Sequence, residues 1–142
     1  MRRGSRRGRT AWALIAAVVL LAACGSTEPA AEAPPSTSDG LYPDVVAVEM
    51  TPDDDGTWTV SVTMSSPYDT PERYADAWRV LDEQGAELGV RELAHDHGAE
   101  QPFTRSLTGG SIPVGVESIT VEGRDQRNGW GGATVTVTVP DD

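Results

Sequence analysis

The sequence predicts an all-β fold: one antiparallel sandwich of two sheets with about seven short strands. Three observations carry that prediction. In Thr57–Met64, Trp58, Val60, Val62 and Met64 alternate with hydroxyl residues, the period of a half-buried strand. Thr134–Val139 repeats the pattern with valine and threonine. Between such runs lie clusters of Gly, Pro, Asp and Asn, so the strands must be short and joined by tight turns.

The chain opens with five arginines and no acid in residues 1–10, followed by an uncharged apolar run from Ala11 to Ala23. A basic leader before a short apolar segment is the layout of a secretory signal peptide, and the run is shorter than the roughly 18 residues of a membrane span. The pair Arg6-Arg7 lacks the apolar residues that twin-arginine export would favour, so general secretion is expected. The segment ends Leu21-Ala22-Ala23-Cys24-Gly25, which resembles the lipobox of bacterial lipoproteins. That resemblance implies cleavage before Cys24 and acylation of its thiol, giving a signal peptide over 1–23. Each buried methylene of an acyl chain contributes about 0.8 kcal/mol, so a multiply acylated cysteine is a durable anchor. Cys24 is also the only cysteine, so no internal disulfide is available.

Residues 24–40 hold the acylated cysteine and then a stretch without aromatic or large aliphatic side chains. Such a composition cannot offset its ordering entropy, and a disordered tether is expected. Residues 41–142 form the domain, of common single-domain size. Val45–Met50 is its first strand, turned through Pro52-Asp-Asp-Asp-Gly56 into the strand of Trp58. Thr70–Leu81 carries two signals. Thr70, Pro71 and Glu72 suit a helix start, with Tyr74, Trp78 and Leu81 at helical spacing, whereas Trp78 and Val80 suit one face of a strand. A strand from about Ala75 is favoured over a helical turn. Val80–Glu83 and Leu88–Leu93 flank Gly85 as a hairpin, Phe103–Thr108 adds a strand, and Ile119 and Val121 mark another. The last strand stops at Pro140. Trp58 and Trp78 are expected in the core on opposite sheets.

The stretches Tyr74–Val80, His95–Ser106 and Gly123–Gly132 resemble a group of small secreted bacterial proteins of unknown function. The strand rhythm is also similar to immunoglobulin-like and fibronectin type III domains, with Trp78 on the third strand and Asn128–Gly132 as the last loop. This implies an immunoglobulin-like plan, although the chain lacks a cysteine pair and has Ile119 near the place of a tyrosine corner. Neither likeness implies an activity.

Charge narrows the partners. Without the five leader arginines, six basic residues face 22 acids, a formal −16, and no lysine occurs. Such a surface repels phosphate backbones, which excludes nucleic acid. Both histidines lie two apart in His95-Asp96-His97. In an extended segment both rings would project from one face, able to chelate copper or zinc with Glu100 or Glu92 as third ligand. The plainer expectation is one histidine bonded within the loop before Phe103 and the other exposed. Trp130, with Arg127 nearby, is the candidate contact for a sugar or protein partner, although folding back over the open end of the sandwich is favoured. Arg79, Arg105, Arg124 and Arg127 are expected on acids or Trp faces. No Gly-x-Ser-x-Gly elbow occurs, and no catalytic residue or resident cofactor is assigned. The expected protein is a non-catalytic binding or scaffolding lipoprotein, lipid-anchored on the extracytoplasmic face of the cell membrane, with an envelope protein or glycan as partner. A small metal-binding envelope protein is the alternative, and an enzyme the third reading.

Overall fold

A computed structural model describes residues 31–32 and 40–141, so the leader, Cys24 and most of the tether lie outside the described residues. No helix occurs among the described residues. The strands are β1 (Ala31–Glu32), β2 (Asp44–Pro52), β3 (Trp58–Ser65), β4 (Ala75–Leu81), β5 (Glu87–Glu92), β6 (Phe103–Gly110), β7 (Ser118–Asp125) and β8 (Gly129–Thr138). They form two antiparallel sheets in the orders β1-β2-β3-β6 and β5-β4-β7-β8. This is the expected sandwich of seven strands, with β1 added at one edge.

Alternation builds the core. Trp58, Val60, Val62 and Met64 are buried along β3, with half-buried hydroxyl residues between them. Val60, Val62 and Met64 meet Trp78 and Val80 of β4 and Ile119 and Val121 of β7 in one cluster, while Trp58 is buried at the end of the strand. Trp78 is 0 % exposed on the second sheet and Trp58 is 7 % exposed on the first, as the sequence implied. Two breaks in the alternation have one cause. Val45 and Val48 are both buried although three apart, and Ala77 and Trp78 are both buried although adjacent. At each place the register shifts, and an extra residue there turns the next side chain to the other face.

The favoured strand begins at Ala75, and before it Thr70–Arg73 forms a tight β-turn rather than a helical one, with reciprocal backbone bonds of 2.8 and 3.1 Å between Thr70 and Arg73. Two expectations need correction. Part of the expected free tether is paired: Ala31 lies opposite Val48 and Glu32 opposite Ala47. The β2 edge offers unpaired backbone groups, and any extended segment can satisfy them. Finally, Asn128–Gly132 is no loop. Only Gln126–Asn128 turn, and Gly129 onward belongs to β8, with Trp130 opposite Arg124.

Connections gather at two ends. The lead-in to β2, residues 66–74, residues 93–102 and the β7–β8 turn meet at one end, where buried Asp125 is a hub. Its carboxylate accepts Arg73 Nε at 3.0 Å and the backbone N–H of Arg127 and Asn128 at 3.0 and 2.8 Å. The turns after β2 and β4, the β6–β7 loop and the residues after β8 make the other end.

Candidate functional site

The histidine loop is built around Asp69. One carboxylate oxygen accepts the N–H of Ala75 at 3.0 Å and the other that of His97 at 3.1 Å, so one buried acid ties two loops together. Gln101 completes the clasp by accepting the Ser66 N–H at 2.6 Å and donating to the His97 carbonyl at 3.1 Å. The chain between is bent rather than extended. Even so, the rings of His95 and His97 are neighbours, with centroids 4.7 Å apart. His97 stacks on Phe103 at 3.9 Å and is 3 % exposed, while His95 is exposed and its Nδ1 donates to the Asp96 carbonyl at 2.8 Å. His97 Nδ1 is enclosed without a partner. Burial, then the charges of Arg105 and His95, push the His97 imidazole below its ordinary range, against the opposite pull of Glu100 and Asp69.

The expected third ligands do not join this pair. Glu100 accepts from Arg105 at 2.8 Å, and Glu92 accepts from Arg124 at 3.0 Å. Among the described residues, no three His, Cys, Asp or Glu side chains gather as a metal site.

Trp130 lies on the outer side of the second sheet, half-buried beneath two guanidinium groups, Arg79 at 4.2 Å and Arg124 at 5.2 Å from the ring centre. Both arginines are engaged further: Arg79 with Glu122 at 2.7 Å, and Arg124 with Asp76 at 2.8 Å and Glu92. The indole is therefore a platform for an ion-pair lattice, not a cover for the open end. Arg127 stays in the β7–β8 turn, where its Nη2 donates to the Glu72 carbonyl at 3.3 Å.

At the opposite end the structure opens a groove of about 570 Å³. Buried Trp58 lines it together with Ile112, Val114 and Val116 of the β6–β7 loop and Val139 after β8. Val114 is fully exposed at 107 %. The volume falls within the range of small-ligand pockets. Its edge carries Glu117 and Asp141. Beside it, the Glu83 carboxylate accepts the N–H groups of Glu117 and Ser118, each at 2.7 Å. The Ser118 N–H is the strongest influence holding that carboxyl below its usual range.

The comparisons bear on kinship rather than on the groove. Over 77 residues the chain is 43% identical to a protein of Halomicrobium mukohataei that carries the name "Putative lipoprotein". The match takes in 54% of this chain and 37% of that protein, so the chain covers well under half of its relative. No family model matches, and no solved structure matches.

Sequence reasoning passed over the groove because Ser111-Ile-Pro-Val-Gly-Val116 carries Pro113 and Gly115, which read as a plain connection. The available signal was three large aliphatics in a segment with no strand to bury them.

Proposed function

We propose that this chain is a lipid-anchored envelope protein, attached through Cys24, whose immunoglobulin-like sandwich is a non-catalytic binding module. The observation that carries the binding half is the groove: an aliphatic loop with Val114 wholly in solvent, on a domain whose other large apolar side chains are mostly covered. The anchor half draws on the basic leader, the short apolar run and Leu21-Ala-Ala-Cys24, and the name of the Halomicrobium relative supports it. The loop end and the outer face offer less. Arg73, Arg79, Arg105 and Arg124 there are each paired with an acid, which makes these pairs framework.

The test is fractionation of the full chain with and without Cys24→Ala, joined to mass analysis of the mature N-terminus. The expected result is membrane recovery and an acylated cysteine for the parent, with the variant soluble or unprocessed. Equal membrane recovery of both proteins and an unmodified parent would refute the anchor.

A further inference from the structure

We infer that the groove at the β6–β7 end takes an extended cationic segment of a partner protein, with an apolar side chain seated over Val114 and Trp58 and Lys or Arg residues on the rim. This inference rests on the binding-module reading and adds the chemistry of the occupant.

Charge complementarity selects that occupant. All three connections and the chain end that meet here carry acids: Asp53, Asp54 and Asp55 after β2, Asp82 and Glu83 after β4, Glu117 after β6, and Asp141 after β8. None of them contains an arginine. Elsewhere five of the six arginines of the domain have acidic or carbonyl partners: Arg73, Arg105 and Arg127 at the loop end, Arg79 and Arg124 on the outer face, while Arg91 lies on β5, outside the groove-end connections. The acids at the groove end have only hydroxyl and backbone donors. Asp53 accepts from Thr57 and Thr59 at 3.1 and 3.0 Å, and Asp82 accepts the N–H of Ala86 at 2.7 Å. Those donors orient the carboxylates without cancelling their charge, so the field around the groove is uniformly negative. An anionic lipid surface or an acidic peptide is repelled there, whereas a cationic segment is steered in. The groove is an open trough, suited to an extended chain with one apolar anchor.

The experiment pans a random peptide library against the full-length protein in phosphatidylcholine nanodiscs at 0.05 M NaCl. Winners are then titrated at 0.05 and 0.5 M. The expected pool is rich in Lys and Arg around an apolar residue, and its affinity falls at least tenfold at the higher salt. Val114→Ser should weaken binding about tenfold, and Glu117→Gln with Asp141→Asn should flatten the salt dependence. Near-ultraviolet circular dichroism confirms that each variant is folded. An enriched pool without positive charge, no enrichment at all, or winners indifferent to these variants would overturn the inference. A bimane label on Val114→Cys, quenched by brominated lipid with no peptide present, would overturn it in favour of a membrane-contact loop. None of these outcomes alters the Cys24→Ala fractionation, so the anchor and the occupant fail separately.

Discussion

Protonating His97 means placing a charge against Phe103 in a site where Nδ1 has no acceptor. Its imidazole pKa in the folded chain is therefore below the unfolded value of about 6.5, and the unfolded chain binds the proton first as pH falls. The stability this neutral ring contributes is complete above about pH 6.5 and is lost as pH drops toward the folded pKa. Urea denaturation from pH 7.5 to 5.5 should show a declining unfolding free energy, and His97→Phe, which keeps an aromatic ring on Phe103, should flatten that slope. An unchanged slope in the variant would assign the effect elsewhere. Asp125 acts in a separate window. Burial raises its carboxyl, but the Asn128 and Arg127 N–H groups and Arg73 outweigh burial and leave the net shift downward. Its contribution therefore persists above about pH 4 and fades below. Tyr68, whose phenol burial and the Asp125 charge push upward, stays neutral throughout.

Strands were legible wherever one face of a sheet is buried, because alternation then leaves its mark on residue type. β3 is the clearest instance, with four buried and four half-buried residues in strict order. The first half of β8 was not legible, since Gly129, Gly131 and Gly132 flank Trp130 and leave no alternation to see. Its purpose shows only in space. A Cβ on Gly131 would meet the Tyr42 ring at 2.6 Å, and one on Gly132 would strike the Pro43 carbonyl oxygen. Asp44 Oδ1 also accepts the Ala133 N–H at 2.8 Å. Glycine thus lets the lead-in of the first sheet lie flat on the second. Gly132 has φ +89, so Gly132→Ala adds backbone strain to a collision and should cost at least about 2 kcal/mol in chemical denaturation. Gly85→Ala, at φ +80 in open space, should cost only about 1 kcal/mol. Equal losses would show that β8 does not depend on this contact. The histidine pair was half legible. Spacing brought the rings together, but the clasp of Asp69 and Gln101 joins residues tens of positions apart, which no local pattern encodes.

Across the whole molecule, residues 41–142 carry 19 acids against six arginines. Ion pairs use some of the acids, and the surplus repels itself in the folded state. Screening shortens the range of that repulsion from about 10 Å at 0.1 M salt to about 3 Å at 1 M. The thermal midpoint should therefore rise between 0.02 and 1 M NaCl, and a fall would mean that the arginine pairs outweigh the surplus. The pairing of Ala31 with Val48 acts at this scale too. With a lipid on Cys24, six residues separate the anchor from β1, against sixteen before Leu41. Even fully stretched, those six reach roughly 21 Å, where sixteen would reach roughly 56 Å. From Val48 to the end of β2 at Pro52 is roughly 13 Å more. The leash is short and it is tied halfway up the sheet. An anchor at Cys24 would hold the groove within roughly 35 Å of the bilayer surface, so a segment docking there would belong to a partner close to the same membrane.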